Sequence, residues 1–395
     1  MIKFDFHTYA DKYIANNEYN RLLLKKTEVL KKFNSYNMTD WKNKIDDELI
    51  KKIKMEASYI KENFDLLVVI GIGGSFLGSY AFNKMFSNYF NGDNYEVIYA
   101  GTSLSSKYMY ELLGYLENKN FGICVISKSG TTMETTIAFD LLKELLKRKC
   151  STTEIKNHII AITDKENGSL REEVKREGYK SFVIPDNIGG RYSFITPAHL
   201  LPLALNYDID KIVDGYYSGE ELSDIAYEYA VMRNLLFKEG KIVENYCVFE
   251  ENMNFFTEWL KQLFGESEGK NGVGILPIST VYTRDLHSLG QFIQEGNKIV
   301  FETFFKIQNN EYNVNYEKKS LHDINNIVLD SVINAHYQGN VPCFLIEMDE
   351  LTYQNIGKLI YFFQLSAAFS SILFDVNPFN QPGVEVYKSE VRKRI

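Results

Sequence analysis

FGICVISKSGTTMETTIAFDLLKELLKRK (Phe121–Lys149) divides into an apolar run, a polar turn and an amphipathic run. Phe121–Ile126 is apolar without a period of two, as a strand covered on both faces should be. Ile137–Lys149 carries its apolar residues at helical spacing. Between them, Ser127, Ser129, Thr131, Thr132, Thr135 and Thr136 bring hydroxyls to the turn. The first turn of a helix leaves four backbone N–H groups without partners, and its dipole attracts anions. Hydroxyls gathered there make a cup for a phosphate. Thr131 and Glu134 also have N-cap and N3 spacing, so a cap by Thr131 is expected alongside anion binding.

Four similar apolar runs flank this unit: LLVVI (Leu66–Ile70), YEVIYA (Tyr95–Ala100), HIIAIT (His158–Thr163) and SFVI (Ser181–Ile184). Five strands alternating with helices predict an α/β fold with a doubly wound parallel sheet. Ligands of such sheets sit at the carboxyl ends of strands. Before this domain (64–205), residues 1–63 have a helical pattern, with Ile45, Leu49, Ile53 and Ala57 forming one stripe. Residues 206–240 are expected to form a helical connection. A second α/β domain (241–395) is predicted from NYCVF (Asn245–Phe249), the helical NMNFFTEWLKQLF, GVGILPI, PCFLIEM (Pro342–Met348) and a long helix, Tyr353–Phe374. The expected architecture is two α/β/α sandwiches with mainly parallel sheets, plus N-terminal helices.

A net charge of −8 argues against nucleic acid as a partner. Cys124, Cys150, Cys247 and Cys343 are far apart and form no C-x-x-C pair, so buried thiols in a reducing compartment are expected. The N-terminus lacks a signal-type apolar core, and no run of eighteen uninterrupted apolar residues occurs; a soluble, cytosolic protein without membrane association is expected.

Gly71-Ile-Gly73-Gly74-Ser75 follows LLVVI but fails the dinucleotide fingerprint, because Phe76 stands at the third glycine position. Its glycines permit close backbone approach to a ligand. Gly265-Glu-Ser-Glu-Gly269-Lys270 has one residue too few for a P-loop, and Asn271 replaces the required Ser or Thr. Asn187-Ile-Gly189-Gly190-Arg191-Tyr192-Ser193 places an arginine after two glycines, suited to an oxyanion or phosphate. Glu266 and Glu268 diverge at i, i+2 spacing, which disfavours a glycosidase pair.

Taken in order, IGIGGS (Ile70–Ser75), SKSGTTMET (Ser127–Thr135), GGRYS (Gly189–Ser193), ESEGK (Glu266–Lys270), DLHSLGQ (Asp285–Gln291) and NQPGVEVYK (Asn380–Lys388) closely resemble the phosphoglucose isomerase family. The resemblance spans about residues 66 to 388 and implies two sandwiches of the sugar-isomerase type. It implies interconversion of glucose 6-phosphate and fructose 6-phosphate in glycolysis and gluconeogenesis, through a cis-enediol, without metal or organic cofactor. By motif, Glu266 would be the base, and His287 and Lys388 would serve ring opening. Arg191 would stabilise the enediolate. Gly74, Ser75, Ser127, Lys128, Ser129, Thr132 and Gln381 would hold the hexose 6-phosphate, leaving Thr131 to cap. The resemblance further implies a homodimer with His287 contributed across the interface. Two alternatives are a non-catalytic sugar-phosphate sensor and an isomerase that also acts on mannose 6-phosphate; the GGRYS and ESEGK forms favour glucose. His199 stands where the family commonly has glycine, Asn380 where it commonly has aspartate, and the chain ends soon after Lys388 with Arg392-Lys393-Arg394.

Overall fold

The computed structural model describes residues 1–395 except 91, 93, 313 and 395, and except the side chain of residue 152. The strands are β1 (Ile2–Tyr9), β2 (Leu66–Ile70), β3 (Glu96–Ala100), β4 (Phe121–Ile126), β5 (Ile159–Thr163) and β6 (Lys180–Val183). They continue as β7 (Val243–Val248), β8 (Leu276–Val281), β9 (Val300–Ile307), β10 (Asn315–Tyr316), β11 (Lys319–Ser320) and β12 (Cys343–Met348). The chain divides into two compact units, Met38–Asp210 and Met1–Asn37 with Lys211–Ile395.

In the unit Met38–Asp210 the sheet runs β3-β2-β4-β5-β6, all parallel. Leu66, Val68 and Ile70 pack with Leu112, Ala138, Phe139, Leu142 and Leu170, from the helices Ser106–Leu116, Met133–Lys149 and Ser169–Glu177. Leu67 and Val69, pointing to the other face by strand alternation, are equally buried. The helix Asp47–Asn63 contacts both β2 and the helix Pro197–Ala204. Its buried stripe is Ile50, Ile53, Ala57 and Ile60, so only two of the four predicted stripe positions are in it. The Asp46 side chain caps the helix by accepting from the Glu48 N–H, which leaves Ile45 outside and rotates the register.

In the other unit the sheet runs β1-β12-β9-β7-β8, parallel except that β1 is antiparallel to β12. The helices Ser223–Lys238 and Asn254–Glu268 each contact the helix Tyr353–Leu373. Leu329 and Ile333 of the helix Leu321–Gln338 pack with Cys247, Phe304 and Cys343. Tyr353–Leu373 is long and apolar enough to cross a membrane, yet 89% of its most apolar window is buried inside the protein.

Three expectations change. The segment 1–63 is not one helical piece: Ile2–Tyr9 is an edge strand, whose Phe6 ring lies 5.4 Å from Phe344 and 5.1 Å from Tyr229. The segment also divides at Asn37, its first part belonging with Lys211–Ile395 and the remainder with the first sheet. Residues 206–240 are helical, but Ser223–Lys238 is a core helix and not a mere connection, because ten of its residues are buried.

Candidate active site

β2 leads to β3 on one side, whereas β4, on the other side of β2, leads away to β5. The strand order therefore reverses between β2 and β4, which opens a crevice outside their carboxyl ends. The turn Gly73–Ser75 follows β2 and the turn Ser127–Thr132 follows β4, so both sit at this switch point. Two of the predicted substrate-binding stretches are thereby brought together in one unit.

In the first turn, Gly73 has φ +56°, in the left-handed region. A Cβ on Gly74 would lie 2.2 Å from the Gly190 carbonyl carbon, so only glycine lets the GGS and GGRYS backbones meet. Ser193 Oγ donates to the Gly190 oxygen at 2.7 Å. Arg191, in the same 3-10 turn, is 96% buried; its guanidinium carbon lies 5.6 Å from the Tyr192 ring centre.

In the second turn, Ser127 Oγ accepts from the Gly130 N–H at 3.0 Å, and the Ser129 and Thr131 hydroxyls are 2.9 Å apart. Thr131 does not cap the following helix. The N-cap is Thr132, with no side-chain cap bond, and the Thr131 hydroxyl is turned to Ser129 instead. Lys128 Nζ donates to the Asp186 carbonyl at 2.9 Å and lies 3.6 Å from its carboxylate. A cavity of about 660 Å³ beside β3, lined by Phe76, Tyr80, Tyr99, Thr102 and Asn206, contains none of the predicted site residues.

His199 is 98% buried in the same unit. Its Nδ1 accepts the Ser79 N–H at 3.0 Å, and its Nε2 lies 2.8 Å from the Gly74 oxygen and 3.3 Å from Ser193 Oγ. Burial pushes its pKa down from 6.5 to about 4, against the opposing bond to Gly74. Between those values the unfolded chain binds the proton and the folded chain does not, so stability rises with pH across the window. Stability is expected to be lost as pH falls from 6.5 through about 4, at roughly 1.4 kcal/mol per unit. His199→Gln, which cannot titrate, should flatten that slope in urea unfolding measured from pH 4 to 7; an unchanged slope would refute the assignment.

The other unit holds Glu266, His287, Gln381 and Lys388. Glu266 is half-buried near the end of the helix Asn254–Glu268, and Gln262 Nε2 donates to it at 3.1 Å. Glu268 is fully buried. Arg233 binds it with both terminal nitrogens, at 3.2 Å through Nη2, and reaches Glu244 through Nε at 2.7 Å. Tyr246, Thr303 and Tyr229 hydroxyls also donate to Glu244, and Ser370 Oγ accepts from Arg233 at 2.7 Å. Burial raises the Glu268 pKa, with Arg233 opposing. Lys270 ties the turn down, donating to the Ser267 oxygen at 2.8 Å and to the Asn377 oxygen. Sequence reasoning did not find Arg233; the available signal was a charge inside the apolar stretch AVMRNLLF (Ala230–Phe237). Arg233→Met would leave two buried carboxylates without their cation, and should destabilise folding by about 3–5 kcal/mol. Urea unfolding checks this, and a loss below about 1 kcal/mol would contradict it.

His287 is exposed at the end of the 3-10 turn Arg284–His287, beyond β8, where Asp285 accepts the Val281 N–H at 2.7 Å. Arg284 reaches Glu251 at 3.7 Å, just before the helix that ends at Glu268. Gly265 faces Pro277, at the start of β8. Glu266 thus lies at the opposite end of that helix from the Arg284–Glu251 pair beside His287. Gln381 is exposed, and Lys388, on the helix Val384–Arg392, pairs with Glu385 at 2.9 Å.

Residues 36–323 and 271–395 match the family described as phosphoglucose isomerase. The chain is 46% identical over 375 residues to a glucose-6-phosphate isomerase of Mycoplasmopsis pulmonis, covering 89% of this chain and 87% of the relative. It is 43% identical over 378 residues to one of Mycoplasma mycoides subsp. mycoides, covering 90% and 88%. A solved glucose-6-phosphate isomerase from Chlamydia trachomatis superposes with a TM-score of 0.85 at 19% identity, over 99% of this chain and 88% of that one, and so shares the fold. At such identity over most of its length, this chain belongs to the phosphoglucose isomerase family.

Proposed function

We propose that the protein interconverts glucose 6-phosphate and fructose 6-phosphate by moving a proton between C2 and C1 through a cis-enediol. The observation that carries this reading is the division of labour on the ESEGK turn. Glu268 is locked into a fully buried pair with Arg233, whereas Glu266, two residues earlier, is only half-buried and accepts from Gln262 Nε2. A carboxylate in such a setting suits proton abstraction beside a carbonyl, which needs an acceptor within hydrogen-bond reach. Arg191 is assigned to the enediolate, whose charge develops only during the reaction, where a fixed cation accelerates the step. The hydroxyl turn 127–132 and the Gly74–Ser75 turn hold the phosphate and sugar, with Gln381 as a further contact. No bond to the phosphate changes, so it serves as a handle that fixes the hexose against the base.

His287 and Lys388 are assigned to ring opening. The placement of Glu266 at one end of the helix Asn254–Glu268, with the His287 turn anchored beyond its other end, supports a homodimer in which each site takes its histidine from the neighbouring subunit.

Incubating the protein with fructose 6-phosphate and resolving both aldose products tests the reading. Glucose 6-phosphate is expected as the main product. Mannose 6-phosphate in its place would overturn the sugar assignment, and binding without turnover would favour a sensor.

A further inference from the structure

We propose that His199 is a positioning residue that clamps the Gly73–Ser75 turn to the Gly189–Ser193 block and thereby sets the substrate-binding geometry of Ser75. The proposal rests on the isomerase reading above for the identity of the substrate, but on the geometry of one unit for the clamp.

The partners of the ring fix its tautomer. The Ser79 N–H can only donate, so Nδ1 is unprotonated and accepts it at 3.0 Å. The Gly74 carbonyl can only accept, so Nε2 carries the hydrogen and donates across 2.8 Å. The depressed pKa keeps the ring in this neutral form at ordinary pH.

Each bond answers a local need. Ser79 is the third residue of the helix Leu77–Phe86, so its N–H has no partner within that helix and would otherwise be buried unmet. The Gly74 carbonyl belongs to the planar peptide that leads into Ser75, so pinning its oxygen orients that peptide and the Ser75 Cα with it. Within the turn, the Ser75 and Phe76 N–H groups bond the Ile72 and Gly73 carbonyls at 3.1 and 3.0 Å, whereas the Gly74 carbonyl is held by side chains from outside, His199 and Ser193. Ser193 Oγ, 3.3 Å from Nε2 and 3.2 Å from the Gly74 oxygen, closes the set from the GGRYS block.

The space around the ring is fitted to it. A Cβ on Gly78 would come within 3.1 Å of the imidazole, and the Phe194 ring stacks on it at 5.9 Å between centres. The clamp therefore joins two predicted substrate loops through a group that faces the protein interior and touches no substrate.

His199→Ala and His199→Gln test this. Gln can restore a donor to the Gly74 oxygen; Ala cannot. In variants whose unfolding midpoint lies well above the assay temperature, His199→Ala should raise KM for fructose 6-phosphate and the inhibition constant of inorganic phosphate about tenfold. Its kcat should change less than threefold, because a binding handle is disturbed and not the base. His199→Gln should recover most of the affinity. Equal KM values for wild type and a folded Ala variant would overturn the proposal, as would a Gln variant no better than Ala. Wild-type turnover of fructose 6-phosphate reports separately on the isomerase reading. If it is absent, phosphate affinity by calorimetry still decides the clamp.

Discussion

Glu266→Gln should lower kcat for fructose 6-phosphate by about 10³-fold or more, within the range expected for a lost general base, and leave KM within about threefold. Glutamine keeps the shape and can still pair with Gln262, but it cannot accept the proton that must leave the carbon beside the carbonyl. A coupled assay gives kcat, and calorimetric titration with the sugar phosphate checks that binding survives. Activity within tenfold of wild type would move the base elsewhere. Glu268 is no substitute: it is enclosed with Arg233 and held by that pair at the end of the helix. Glu268→Gln is accordingly expected to lower stability before it alters chemistry.

Mixing two inactive variants, His287→Ala and Glu266→Gln, should restore activity. If each site combines Glu266 of one subunit with His287 of the other, a heterodimer has one complete site and one doubly defective site. Random reassortment of equal amounts makes half the dimers mixed, so recovery of about a quarter of wild-type specific activity is expected. Co-expression with two affinity tags isolates the heterodimer, which should retain about half. A mixture no more active than the average of its parents would place the whole site in one chain. The physical ground for expecting rescue is the helix that runs from beside Glu251, where the His287 loop is anchored through Arg284, to Glu266.

Much of the fold was legible because burial on both faces leaves a plain mark on sequence. The runs Leu66–Ile70 and Phe121–Ile126 are apolar at every position, or carry glycine, and every position is buried. The helix Tyr353–Leu373 was legible by its length and by the apolar residues of its buried central part, Leu359–Phe363. Elements failed to be read where polar residues are buried in company. β9, VFETFFKI, has Glu302 at its third position, and that carboxylate lies in the core because His336, Tyr282 and Asn245 surround it. Those partners come from three separate stretches of the chain, and no local pattern announces them. β1 escaped notice because it is half-buried at a sheet edge, and its partner β12 lies more than 300 residues away.

By itself the sequence determined the alternation of strands and helices from Leu66 to Ile184, the glycine and hydroxyl turns after β2 and β4, and the six motifs that carry family membership, since each depends only on neighbours along the chain. The tertiary structure alone decided that β2 and β4 are adjacent with their connections diverging, which turns two polar turns into the walls of one crevice. It also decided which residues share the work. Thr132, not Thr131, begins the helix, Arg233 commits Glu268 to the core, and His199 ties Gly74 to Ser79. These outcomes depend on hydrogen-bond partners brought together from distant positions, and such partners exist only after the chain has folded.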